Sequence, residues 1–247
     1  MPRYDFRTPR LFVAPALDRG ASVPLDKAQT NYLTNVLRLD PGDPVLVFNG
    51  RDGEWRAELQ REGKKSVALA VAEQTRPQHG ACDLHYLFAP LKHARLDYMV
   101  QKAVELGVSR LQPVTTRHTQ AARVNVERMR ANAIEAAEQC GILTIAEVDD
   151  AIPLAKALDG MTGARMLIFC DEDAETRDPV AALSHIAKGT PLAVLVGPEG
   201  GFAEEERALL LKHPNVVRLA LGPRILRADT AAVAALTLVQ AVIGDWR

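Results

Sequence analysis

The sequence predicts an α/β protein in two parts: a small β-barrel over residues 1–75, then a larger α/β domain with a mostly parallel sheet over residues 76–247. Three observations lead there. Short period-two runs crowd the first 75 residues. The polar, turn-rich stretch Gln74-Thr75-Arg76-Pro77-Gln78-His79-Gly80 then interrupts the pattern as a linker. Beyond it, apolar strand-like runs alternate with helical ones.

In the first part, Trp55, Ala57 and Leu59 alternate with Glu54, Arg56 and Glu58, the pattern of a half-buried strand. Val67, Leu69 and Val71 repeat it, with Gly63-Lys64-Lys65 as the turn. Val45–Phe48 runs into Asn49-Gly50-Arg51-Asp52-Gly53, where asparagine and glycine accept positive φ. One helical stretch, Leu25 to Leu37, stops ahead of Pro41-Gly42-Asp43.

The second part opens on a strand, Leu84–Ala89. Leu96, Met99, Val100, Ala103 and Val104 mark one helix face, which Gly107 closes. Leu111–Val114 is strand-like, and Asn125 caps a helix that ends near Gly141. Ile142–Val148, Met166–Cys170, Leu192–Val196 and Val216–Leu219 are further strands. Asp178-Pro179 sets a capping carboxylate before a proline at the first helical position.

Composition narrows the function. Of 247 residues, 47% are hydrophobic and 25% charged, which fits a soluble globular protein and excludes disorder and collagen. The least polar run, Ala228 to Gly244, is too short to span a bilayer, and the N-terminus lacks the apolar core of a signal peptide. A cytoplasmic protein without membrane association is expected. Cys82, Cys140 and Cys170 are too widely spaced for a disulfide framework or a zinc knuckle, so no metal is expected. The net charge of −1 advertises no polyanionic partner. The first ten residues nevertheless interleave Arg3, Arg7 and Arg10 with Tyr4 and Phe6. That suits phosphate pairing with base stacking, but charge alone favours a solvated arm docked by its aromatics.

Two segments carry chemistry. Leu195-Val196-Gly197-Pro198-Glu199-Gly200-Gly201-Phe202 follows a buried strand, and its glycines let the backbone come close to a ligand. It enters a helix at Glu204-Glu205-Glu206, whose carboxylates suit the helix dipole and argue against a phosphate there. Neither nucleotide-binding glycine motif is present. Leu221-Gly222-Pro223-Arg224-Ile225-Leu226-Arg227-Ala228-Asp229-Thr230 follows another strand and enters an Ala-rich helix, with Asp229 as its cap. Apolar Ile225 and Leu226 between two arginines fit a loop wrapped around a flat, uncharged ligand, its arginines facing an anion.

Together these loops resemble the RsmE family of ribosomal RNA methyltransferases, of the SPOUT class. The resemblance extends through Lys92-His93-Ala94-Arg95-Leu96-Asp97, Gln101–Val108 and Glu135–Gln139. It includes Leu33–Leu39 and Phe48-Asn49-Gly50, so it covers nearly the whole chain. The family usually carries Glu where Asp229 stands, and a more basic segment where Cys140–Thr144 stands.

The resemblance implies a PUA-like RNA-binding barrel over 1–75 and a trefoil-knotted methyltransferase domain over 76–247. It further implies a homodimer that methylates uridine N3 in 16S rRNA of the small ribosomal subunit, with S-adenosylmethionine as cofactor. Leu195, Val196, Gly197, Glu199, Gly200, Gly201, Leu221, Gly222, Ile225, Leu226 and Thr230 would hold the cofactor. Arg227 would stabilise the developing imidate, and Asp229 is the weaker candidate, as base or simple helix cap. Arg3, Arg7, Arg10, Arg38, Lys92 and Arg95 would meet RNA phosphate, though Lys92 and Arg95 also read as a solvated helix start. Two rivals remain: an RNA-binding module without catalysis, and an enzyme of the same class acting on tRNA or a ribose 2′-hydroxyl.

Overall fold

The computed structural model describes residues 5–62, 66–92, 94–120, 123–161 and 163–246. Arg3, His93 and the Gly63-Lys64-Lys65 turn therefore lie outside the described residues. The chain forms two compact units, Met1–Gly80 with Ala137–Ile145, and Ala81–Ala136 with Ala146–Arg247.

In the first unit, β1 (Arg10–Phe12), β2 (Ser22–Pro24), β3 (Pro44–Phe48), β4 (Glu54–Glu62) and β5 (Ser66–Arg76) form a sheet in the order β1-β3-β4-β5-β2. The domain boundary expected at residue 75 falls inside β5. Helix α1 (Lys27–Asn31) starts on a capping box: Asp26 Oδ1 accepts from Gln29 N at 2.8 Å, and Gln29 Oε1 accepts from Asp26 N at 3.1 Å. A π-helical turn, Tyr32–Val36, continues it and buries Leu33 against Val45, Val47, Ala57, Leu59, Leu69 and Val71. These are the inward positions of the period-two pattern. In the 49–53 turn, positive φ falls on Gly50 and Gly53, not on Asn49. Asn49 acts instead through its side chain, whose Oδ1 accepts from Arg51 N at 3.1 Å and Asp52 N at 2.9 Å.

Glu54 breaks the alternation. A register shift between Glu54 and Trp55 turns its side chain inward, where it is only 3% exposed. Arg10 Nε donates to Oε2 at 2.7 Å, Arg76 Nη2 to the same oxygen at 2.6 Å, and Thr75 Oγ1 to Oε1 at 2.9 Å. Arg10, expected to meet RNA, is thus a buried structural cation, whose Nη1 also donates to Glu138 O at 3.3 Å. A guanidinium enclosed in this way has no free face for a phosphate.

The second unit contains β6 (Leu84–Phe88), α2 (Ala94–Glu105), β7 (Arg110–Thr115), α3 (Val126–Cys140), β8 (Glu147–Val148), β9 (Ile152–Pro153) and α4 (Leu154–Asp159). It continues with β10 (Met166–Cys170), α5 (Pro179–Ser184), β11 (Leu192–Val196), α6 (Glu204–Leu211), β12 (Val216–Leu219) and α7 (Ala228–Val242). The last turn of α3, from Ala137, is counted with the first unit. The sheet runs β12-β10-β11-β6-β7-β8, with β9 also on β7, and every pairing is parallel.

Helices cover both faces of that sheet. Leu154, Leu158 and Leu210 from α4 and α6 pack on Leu87, Leu167 and Leu195. The alternate strand residues face α2 and α7, where Tyr86 Oη donates to Met99 Sδ at 3.1 Å. Gln240, fully buried in α7, donates to Leu106 O at 2.7 Å and accepts from Asp245 N at 3.0 Å, so its polar ends are satisfied.

The strand expected over 142–148 shrinks to β8. Ile142 N returns to Ala137 O at 3.0 Å, and Gly141 O accepts from Arg76 Nη1 at 2.9 Å. The segment is apolar because Leu143 is buried as loop, not because it joins a ladder. Among the described residues no helix is long and apolar enough to cross a membrane.

The Arg10–Glu54–Arg76 cluster has a measurable consequence. Burial pushes the Glu54 carboxyl up, but hydrogen bonds from Arg76, Arg10 and Thr75 outweigh it and hold the group below its ordinary value. Its contribution is therefore complete above the ordinary carboxylate range and lost as pH falls through the lowered value. Glu54→Ala strands two cations and is expected to cost about 3–5 kcal/mol in urea unfolding near pH 7. The difference from wild type should narrow as the pH is lowered into the acid range.

Candidate functional site

Since β10 lies between β11 and β12, the segments that leave these three parallel strands emerge side by side. They are Cys170–Glu172, Val196–Phe202 and Leu219–Ala228, and together they line a cleft with about 720 Å³ of free space, its open mouth included.

Local sequence shapes each wall. A Cβ built on Gly197 would lie 2.4 Å from the Phe202 ring, so only glycine lets that ring close over the strand end. Phe202 in turn meets Phe169 edge-on, with ring centroids 5.4 Å apart. Gly201 N donates to Pro198 O at 2.9 Å, closing the turn. In the other loop Gly222 has φ 99°, which excludes most side chains, and a Cβ there would meet nothing within 4 Å. Ile225 lines the cleft while remaining 92% exposed. The lining is thus largely backbone and apolar side chain, suited to a flat neutral ligand.

Charge is concentrated at the end of β10. Asp171, 3% exposed, accepts from Arg207 Nη2 at 2.9 Å, from Arg218 Nε at 2.7 Å and from Asp173 N at 3.1 Å. Burial pushes its carboxyl up, and the bonds from Arg207, Arg218 and Asp173 N outweigh that and hold it ionised. Cys170 beside it is pushed up to about 12 by burial and by the Asp171 charge, so its thiol stays protonated.

The structure brings most of the expected cofactor residues together. Val196, Gly197, Glu199, Gly201, Leu221, Gly222, Ile225 and Leu226 line the cleft. Leu195 does not; it is a core residue packed on the α4–α6 face. Gly200 lies against His118, 3.4 Å from a Cβ built there. Arg227, Asp229 and Thr230 stand beyond the lining, at the start of α7. Asp229 is not the cap: Arg227 O accepts the first helical bond, from Ala231 N at 2.8 Å, and the Asp229 carboxylate accepts from Thr230 N at 2.8 Å inside the first turn.

A second cleft adjoins the first and shares Pro198 and Glu199 with it. Lys92 and Arg95 line it, together with His118 and Gln120. Arg95 Nη1 donates to Glu199 Oε1 at 2.5 Å, and His118 Nδ1 lies 3.1 Å from Gly201 O. Arg7 and Arg38 are exposed on the first unit. Sequence reasoning missed the wall Cys170-Asp171-Glu172. Its only local signal is an acidic run directly after an apolar strand. Among the described residues no cluster of three or more His, Cys, Asp or Glu side chains could hold a metal ion.

An α/β sheet with such a cleft, preceded by a small β unit, defines the class: residues 78–240 match the RNA methyltransferase domain family, and residues 25–71 match the RNA methyltransferase PUA domain. Ribosomal RNA small subunit methyltransferase E of Rickettsia conorii is 30% identical over 232 residues, covering 94% of each chain. The Bacillus subtilis protein of that name is 29% identical, over 85% of this chain and 86% of its own. The crystal structure of the Neisseria gonorrhoeae enzyme of that name, bound to S-adenosyl methionine, superposes with a TM-score of 0.87 at 27% identity, over 98% of this chain and all of the other. The chain belongs to the ribosomal RNA small subunit methyltransferase E family.

Because Asp171 ties together β10, α6 and β12, Asp171→Asn is expected to lower stability by about 2 kcal/mol in urea unfolding. The loss should be largest near neutral pH and should shrink as the wild-type carboxylate is protonated, since its folded value lies below the ordinary one.

Proposed function

We propose that this chain transfers the methyl group of S-adenosylmethionine to N3 of a specific uridine in 16S rRNA of the small ribosomal subunit, in the cytoplasm and as a homodimer. The observation that carries the reading is the glycine-lined cleft at the ends of β10, β11 and β12. Family membership and the cofactor-bound relative support the same ligand. The trefoil knot that the family resemblance implies belongs to the same reading, and the strand order β12-β10-β11 is compatible with it.

The residues present fit that cofactor. Main-chain groups around Val196, Gly197, Leu221 and Gly222 would hold a neutral adenine, and Glu172 offers a carboxylate to hydroxyls and to positive charge. When bound, S-adenosylmethionine supplies a methyl group already activated on a sulfonium. The chain's own task is to orient the displacement and to make N3 nucleophilic by loss of its imide proton. Arg227, exposed at the cap of α7 and outside the cleft lining, would have to turn toward the substrate to stabilise the imidate by charge-assisted hydrogen bonds, for which its planar fork suits two acceptors. Asp229 is engaged within the helix turn and serves structure. Lys92, Arg95, Arg7, Arg38 and Arg3 would supply phosphate contacts, whereas Arg10 is excluded from that set.

Three measurements test this reading. Calorimetry should detect S-adenosylmethionine binding to the wild type and its loss in Gly222→Val, which puts a β-branched side chain at a left-handed φ in the cleft lining. Nucleosides of rRNA from cells lacking the protein should lose N3-methyluridine alone; an unchanged profile would refute the reaction. In single-turnover methylation, Arg227→Lys should fall roughly a hundredfold, equivalent to about 3 kcal/mol, with cofactor binding retained. Asp229→Asn should stay within about tenfold of wild type.

A further inference from the structure

The proton on uridine N3 still needs a destination. Arg227 cannot take it, because a guanidinium has no acceptor. The Asp229 carboxylate is held by Thr230 N and lies outside the lining of both clefts. We propose, building on the functional reading above, that Glu199 accepts the N3 proton and that RNA binding frees it by drawing Arg95 away to a phosphate.

Position is the first argument. Glu199 is the acidic side chain that lines both the cofactor cleft and the adjoining cleft with Lys92 and Arg95. A nucleobase entering the second cleft would meet the cofactor cleft across Pro198 and Glu199. The turn bond from Gly201 N to Pro198 O, at 2.9 Å, fixes the backbone that carries this carboxylate.

The ion pair supplies the second argument. Arg95 Nη1 sits 2.5 Å from Glu199 Oε1, and both side chains are 42% exposed. A pair so exposed is weak in water and exchanges readily. An RNA phosphate offers the guanidinium two oxygens in the geometry it prefers. In that exchange the cation moves to the RNA backbone, and Glu199 regains its lone pairs at the moment a substrate arrives. Without RNA, Arg95 remains the partner of this carboxylate.

The step balances. The N3–H bond breaks and its proton passes to a Glu199 carboxylate oxygen. The electron pair left on N3 forms the bond to the methyl carbon, the S–C bond breaks, and its pair stays on sulfur. Glu199 then releases the proton to water.

The test uses the full chain, S-adenosylmethionine and small subunits from cells lacking the enzyme. Glu199→Gln should bind S-adenosylmethionine within about threefold of wild type in calorimetry. It should bind the subunit as tightly or several-fold more tightly, because Arg95 is no longer held. Its single-turnover rate should fall by about a hundredfold or more. Arg95→Ala should weaken subunit binding and reduce the salt slope by about one, with cofactor affinity unchanged. A Glu199→Gln rate within tenfold of wild type overturns the proposal. So does loss of cofactor binding in that variant, which makes Glu199 a cofactor ligand. A collapse in His118→Asn alongside a normal Glu199→Gln moves the role to the imidazole. If the wild type itself forms no N3-methyluridine, the functional reading fails instead.

Discussion

Because β10 is paired in parallel with β11 on one side and β12 on the other, three chain segments distant in sequence leave the sheet at one place. The candidate cleft depends on that arrangement. Asp171, the first residue past β10, extends the ladder through its N–H to Leu219 O at 3.0 Å and turns its carboxylate to Arg207 and Arg218. One buried carboxylate thereby joins the end of β10 to α6 and to β12. On the other side, Phe169 and Phe202 make the same connection between β10 and the loop after β11 with apolar surface. Together these contacts give glycine-rich loops a fixed shape that their own residues do not impose.

Burial separates two kinds of charge in this protein. Glu54 and Asp171 are enclosed, each by two arginines, and their cost of desolvation is offset by hydrogen bonds that fill the carboxylate. Such groups hold structure and have nothing left to offer a ligand. Glu199, Arg95, Arg224 and Arg227 keep substantial exposure. Their interactions are weak enough to be exchanged for those of an anionic substrate. Arg10 shows why a basic residue near a basic terminus is a poor guide by itself: the register shift that turns Glu54 inward consumes it.

Much of the architecture was legible in the sequence because it rests on local periodicity. The inward set Ala57, Leu59, Leu69 and Val71, the α2 face, Asn125 and Asp178 as caps, and the strands Met166–Cys170 and Leu192–Val196 all follow from spacing and capping chemistry. Both loops of the candidate cleft were legible for a similar reason, since glycine and proline mark them. The third wall was not. Cys170-Asp171-Glu172 joins the cleft only through strand order, and no local pattern encodes which strands become neighbours. Apolar content misled at Ile142–Val148, where a buried loop has the composition of a strand. β9 pairs through only Ile152 and Pro153, too short to carry a period.

The two clefts differ in the chemistry of their walls. Around the cofactor cleft the decisive features are backbone shape, a missing Cβ at Gly197 and apolar contact, none of which depends strongly on salt or on the charge of a side chain. In the adjoining cleft the wall carries Lys92, Arg95 and Glu199, whose interactions are electrostatic and therefore sensitive to salt. Pro198 and Glu199 belong to both walls, so a change in the partner of one carboxylate is registered in each cleft at once. On the proposal above, free nucleosides would react poorly because they bring no RNA backbone to compete for Arg95. Selectivity for a polynucleotide would then reside in the ion pair, and affinity for the methyl donor in the backbone shape of the loops.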